Sequence, residues 1–254
     1  MPERGQMSGR TVVAQVRAYD DPEHRRRVAA AIVAGSIHNM RSNAVYYNGR
    51  GRDLEAEIAD LETAASQVDE ELPVDELMGI EATARKAYYR TFDAILPEEF
   101  RLGRREYNPP PNEVNSLISF GNSLVYANCV SAIRATALDP TISYLHEPGE
   151  RRYSLSLDLA DLFKPLLADR VLFRLVNRGQ LTLEDFEHDL NSCLLTERGR
   201  ETYSKAFEET LERTVEHPQL KRKVSYQYLL RLEAYKLKKH LLTGEEYVPF
   251  RRWW

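Results

Sequence analysis

Apolar residues recur every three or four positions along nearly all of this chain, and prolines cut that pattern into segments. Such a period puts one apolar stripe on each of a series of helices and leaves little room for a sheet. Asp21-Pro22 opens the first clear run, with proline at the tolerated first turn, and Val28, Ile32, Val33 and Ile37 follow at helical spacing. A second helix is expected over 53–68, with Leu54, Ile58, Leu61 and Ala65 as its stripe, and a third over 74–96, set off by Pro73. Pro109, Pro110 and Pro111 forbid a helix in the loop 97–112. Asn112 can cap the long apolar helix expected over 113–137. Pro165 breaks or kinks the next helix, which resumes over 169–177 and stops at Gly179. Helical segments are expected over 183–194, 198–216 and 224–242. TVVAQV at 11–16 reads either as a short strand or as the start of the first helix. The fold class expected is therefore all-α.

Composition narrows the function. With 29% charged and 43% apolar residues, 254 residues suffice for one large core. No run of 18 apolar residues occurs, so no transmembrane helix and no membrane partner are expected. MPERGQMSGR has no apolar stretch of a secretory signal, and two isolated cysteines, Cys129 and Cys193, read as reduced thiols of a cytoplasmic protein. The net charge of −4 hides a segregation: residues 1–52 carry nine Arg against four acids, 53–76 carry ten acids and no base, and 218–254 carry nine Lys and Arg against three Glu. A basic face can therefore stand beside an acidic segment. Neither GxGxxG nor GxxxxGKS/T occurs, which argues against nucleotide-binding α/β folds, and no GxSxG elbow is present.

The densest chemistry lies in SYLHEPGERRYSLSLDLADLFKP, residues 143–165. Asp158 and Asp161 stand three residues apart, on one face of a helix. Their apolar neighbours Leu155, Leu157, Leu159, Leu162 and Phe163 half-bury that face, where unpaired carboxylates are costly and a cation would relieve the cost. With His146 just upstream, the set is open to Mg²⁺ or Mn²⁺, whereas a closed zinc site would want thiolates or more histidines.

Several separated blocks, in order, resemble the CRISPR-associated integrase family, the Cas one proteins of spacer acquisition. They are LMGIEATARKAYYRTF, PPPNEVNSLISFGNSLVY, ALDP, SYLH, SLSLDLADLFKP, ADRVLFRLVNR and the tail from VSYQYLLRLEAYKLKKH to its closing FRRWW. The similarity runs from about Arg10 to Trp254. It implies a multi-helix catalytic domain whose metal is held by a Glu, a His and an Asp, which fall on Glu81, His146 and Asp161. Asp158 is implied as the supporting acid. Ala82 departs from the small Gly that often follows the motif Glu. The resemblance also implies a metal-dependent DNA endonuclease and integrase that inserts spacer DNA by 3′-OH transesterification. Its expected partners are double-stranded DNA, a second copy of the chain in a homodimer and a small CRISPR protein, Cas two. Arg85, Lys86, Arg104, Arg105 and Tyr107 are candidates for DNA contacts. The family's N-terminal β domain has no counterpart here, so residues 1–20 are expected as a linker or helix start and 21–254 as the helical catalytic domain. Two other readings share these motifs: a non-catalytic helical DNA-binding or assembly module, and a mobile-element integrase.

Overall fold

A computed structural model describes residues 8–150 and 152–253. Ser8 caps α1 (Gly9–Asp20) by accepting from Thr11 N, so TVVAQV is helical. Asp21 caps α2 (Pro22–Asn48) by accepting from the Glu23 and His24 amides. Then come α3 (Glu55–Ser66), α4 (Val74–Ile95) behind Pro73, and α5 (Glu113–Arg134) capped by Asn112. α6 (Ser154–Lys164) passes through a wide π-helical turn, Pro165–Asp169, into α7 (Arg170–Asn177). Two hairpins interleave with the last helices: β1 (Phe186–Asp189) with β2 (Ser192–Leu195), α8 (Glu197–Glu212), β3 (Thr214–His217) with β4 (Arg222–Ser225), and α9 (Tyr226–Thr243).

The hairpins overturn the all-α expectation. The segment 183–194, expected as a helix, has Leu183, Phe186, Leu190 and Leu194 at helical spacing. Burial in the structure instead alternates with a period of two: Cys193 and Leu195 point inward, Leu194 is half-exposed and Leu190 is 97% exposed. The helix expected to reach residue 216 stops at Glu212, since Thr214 and Val215 pair with Ser225 and Val224 and Pro218 lies in the turn.

α2 runs through the middle of the molecule and packs against α1, α3, α4 and α6. At Gly35, a Cβ would lie 2.8 Å from Leu162 Cδ2 and 3.1 Å from Pro249 Cγ, so glycine permits the close approach of α6 and the C-terminal tail. A polar stripe then ties α2 to the backbone of α6. Pro165 has no N–H to offer the Asp161 carbonyl four residues back, and Ser36 Oγ donates to that carbonyl at 3.2 Å. Asn39 Nδ2 donates to Leu162 O at 2.8 Å and Asn43 Nδ2 to Pro165 O at 3.1 Å, on the next two turns. The helix that carries both aspartates is thus fixed to the core at the point where its own hydrogen bonding fails.

α1 belongs to the same body, because Gln15 exchanges two hydrogen bonds with the Asp139 backbone, at 3.1 and 2.7 Å. α5 is 22 residues long and apolar enough in composition to cross a bilayer, but it packs against α6 and α9 in the interior. In the tail, Trp253 Nε1 donates to Glu216 O of β3 at 3.0 Å, and Trp254 lies outside the described residues.

Candidate metal site and its family

Asp158 is fully buried and organises the loop before α6. Its Oδ2 accepts from the amides of Tyr144 (2.8 Å) and Leu145 (3.1 Å), and its Oδ1 accepts from the amide of His146 (3.0 Å). The same Oδ1 lies 2.8 Å from His146 Nδ1, which donates to it. In the neutral ring that bond puts the proton on Nδ1 and leaves the lone pair on Nε2. Nε2 faces Asp161 Oδ2 at 4.0 Å, too far for a hydrogen bond and close enough for both atoms to bind one small cation. Burial works to lower the His146 pKa, but the hydrogen bond to Asp158 and the charges of both aspartates outweigh it and leave it raised.

Glu81 enters from α4, where Arg85 one turn later clamps it: Arg85 Nε donates to Glu81 Oε1 at 2.6 Å, and Nη2 donates to the same oxygen. Arg85 Nη2 also lies 3.2 Å from Asp161 Oδ1. Lys164, one turn beyond Asp161, donates to that Oδ1 at 2.7 Å. Burial alone would raise the Asp161 pKa; Lys164, Arg85 and His146 together bring it below the usual carboxylate range. Two carboxylates from different helices thus hold one guanidinium between them, beside an imidazole with a free lone pair. Carboxylate oxygens and an imidazole nitrogen are donors that Mg²⁺ or Mn²⁺ accepts, and here Arg85 and Lys164 balance the two carboxylate charges.

Lys86 and Arg104 are exposed, and Tyr107 is 67% exposed. Arg105 lies 4.4 Å over the Tyr107 ring and donates to Asn115 Oδ1 and Ser119 Oγ, both at 2.9 Å, so it also ties the proline loop to α5. Arg85 is mostly covered, its guanidinium lying between Glu81 and Asp161. Ser36 and Lys164 were missed by the sequence reading; Lys164 carried a signal, a base three residues after Asp161 on the same helix face.

The family model for CRISPR associated protein Cas1 matches residues 1–209. The CRISPR-associated endonuclease Cas1 of Haloferax volcanii is 56% identical over 254 residues, covering 100% of this chain and 77% of that protein. The chain belongs to the Cas1 family. The solved structure of a Cas1 protein from Thermotoga maritima superposes with a TM-score of 0.86 at 36% identity, over 97% of this chain and 75% of that one. A chain of a solved Cas6-RT-Cas1–Cas2 complex shares the fold, with a TM-score of 0.86 at 18% identity, over 96% of this chain and 27% of that one. The enzyme class implied by the sequence motifs, a CRISPR-associated endonuclease and integrase, is that of the family.

A second donor cluster joins α5 to the first hairpin of this Cas1-family chain. His188 Nε2 lies 3.0 Å from Glu113 Oε1 and 3.9 Å from Cys193 Sγ. Glu113 begins α5, next to its cap Asn112. A thiol beside an imidazole and one carboxylate suits a softer ion than Mg²⁺. Burial, and then the charge of Glu113, push the Cys193 thiol up to about 12, so it is no activated nucleophile.

Asp169, at the end of the π-helical turn, is a third buried acid. Burial raises its pKa from 3.8 to about 7, against the opposing charge of Arg85 and a hydrogen bond from Tyr88. The folded state therefore holds a proton that the unfolded state has released. The stability this contributes is complete below the unfolded value of 3.8 and is lost as pH rises through 7. At about 1.4 kcal/mol per pKa unit, the loss is on the order of 4 kcal/mol. Thermal unfolding of wild type and Asp169→Asn at pH 5 and pH 8 checks this: the variant should gain most at pH 8. Equal pH slopes would contradict it.

Proposed function

We propose that this chain is the metal-dependent integrase of CRISPR spacer acquisition, with Glu81, His146 and Asp161 as ligands of one Mg²⁺ or Mn²⁺ ion. The observation that carries this reading is the pair of helix-borne carboxylates, Glu81 and Asp161, joined by Arg85, with His146 Nε2 4.0 Å from Asp161 and its other nitrogen held by Asp158. When bound, the ion supplies Lewis acidity toward the scissile phosphate and lowers the pKa of the attacking hydroxyl. Asp158 keeps His146 in the tautomer that presents Nε2. Arg85 and Lys164 place positive charge beside a phosphate at this site. In the reaction, the 3′-oxygen of an incoming DNA end forms a new bond to phosphorus in the array. The bond from that phosphorus to the target strand's own 3′-oxygen breaks. The attacking hydroxyl loses its proton to solvent, and the departing oxygen takes one up.

The substrate is double-stranded DNA, and exposed Lys86, Arg104 and Tyr107 are available to its backbone. Residues 21–254 form the catalytic domain, with α1 docked on it. A homodimer and a small partner of the Cas two kind would set the distance between two insertions. The free, buried Cys129 and Cys193 accord with a reducing cytoplasm. Identity of 56% to a CRISPR-associated endonuclease favours this reading over a mobile-element integrase.

The test is strand transfer of a labelled duplex with a 3′-OH into supercoiled repeat-containing DNA, with the small partner present. Transfer is expected with Mn²⁺ or Mg²⁺ and not with EDTA. Transfer in EDTA would overturn the metal reading.

A further inference from the structure

Beyond the carboxylate site, the same central helix leads to a cleft of about 390 Å³. Arg50, Arg170, Arg174, Arg178 and Arg213 line it, with no acidic residue in its wall. None of the five forms an ion pair among the described residues. Tyr46 organises the group: the guanidinium carbons of Arg50 and Arg170 sit 4.4 and 4.7 Å from its ring centre. Arg174 Nη2 is held by Ala206 O at 2.9 Å and Thr210 Oγ1 at 3.2 Å. Burial and then the neighbouring charge of Arg213 lower the Arg174 pKa; Glu209 opposes this without offsetting it.

Five guanidiniums around one concavity repel one another unless an anion joins them. Their planar forks suit phosphate oxygens in pairs, and five forks exceed what a single phosphate can occupy. Position decides the rest. Ser36 touches Asp161 and Tyr46 lines the cleft, ten residues apart on α2, or about 15 Å. That is roughly the rise of four base pairs of duplex.

We propose that this cleft is a second DNA-backbone site, gripping phosphates of the same DNA whose reacting phosphate lies at Glu81, His146 and Asp161. The proposal rests on the integrase reading for that second clause. Contacts of this kind position the strand and are blind to its sequence.

Equilibrium binding of a fluorescent duplex to the full chain, in EDTA and from 50 to 300 mM salt (about 0.9 units of log–log slope per phosphate contact), tests it. Arg178 and Arg213 are exposed, so Arg178→Ala/Arg213→Ala keeps the fold. That variant should bind on the order of 10-fold more weakly at low salt and lose about one to two units of slope. Arg27→Ala/Arg41→Ala, which removes equal charge elsewhere on α2, should keep the wild-type slope. Wild-type affinity and slope in the cleft variant, or an equal loss in the Arg27/Arg41 variant, would overturn the proposal while leaving the integrase reading intact. Failure of the wild type itself to bind duplex would overturn both. Displacement of the duplex by inorganic phosphate at equal phosphate concentration would mark a small-anion site and overturn the proposal.

Discussion

Changing Asp161 to Asn is expected to lower strand transfer on the order of 10³-fold, with Glu81→Gln and His146→Ala close behind. The substitution keeps the size and one oxygen of the side chain but removes the charge. In the wild type that charge faces three partners: Lys164 at 2.7 Å, Arg85 at 3.2 Å and His146 Nε2 at 4.0 Å. A neutral amide binds a hard divalent ion weakly and leaves Lys164 and Arg85 short of a counter-charge in a half-buried site. Some loss of stability therefore accompanies the loss of activity, and unfolding curves separate the two. Glu81→Gln is the cleaner variant, since Arg85 retains Asp161 and Ser36 as partners. Full transfer by all three variants would remove the metal site from the mechanism.

Asp158→Ala is expected to be the most destabilising change near the site, although Asp158 touches neither metal nor substrate in this account. Its carboxylate takes three backbone N–H groups and the His146 ring, all within 3.1 Å. Alanine strands those donors in a fully buried place, at a cost of about 3–5 kcal/mol. For a chain of this length, that is a melting temperature lower by roughly 10 °C. Asp158→Asn should fall between, since an amide accepts at one oxygen only and turns its NH₂ toward donors. Both variants free the His146 ring, so Mn²⁺ affinity should fall about 10–100-fold. Titration calorimetry at a temperature where the variant stays folded measures that fall. Wild-type Mn²⁺ affinity in folded Asp158→Asn would show that Asp158 holds the loop but does not position the ligand.

Much of this was legible because helix ends are chemically marked. Asp21-Pro22, Pro73 and Asn112 delimit α2, α4 and α5 within a few residues. The hairpins were not legible, because Leu183, Phe186, Leu190 and Leu194 imitate a helical stripe while only a pairing partner shows that Cys193 and Leu195 point inward. His146, Asp158 and Asp161 could be grouped because they are close in sequence. Glu81 could not; on its own it is one helix glutamate among many, and the resemblance to a family singled it out. The direction of Arg85 follows from a contact between helices that the sequence does not display. The stripe Ser36, Asn39 and Asn43 did leave a trace: small polar residues at helical spacing inside an otherwise apolar helix. Its meaning becomes clear only beside Pro165, which cannot give the Asp161 carbonyl the usual donor four residues on.

The central claim is that Glu81, His146 and Asp161 hold one divalent ion, and anomalous diffraction from crystals soaked in MnCl₂ tests it most directly. The account predicts a manganese peak within bonding distance of His146 Nε2 and of both carboxylates, with Arg85 displaced from between them. A peak at Glu113, His188 and Cys193 instead, with Arg85 still joined to Glu81 and Asp161, would contradict it.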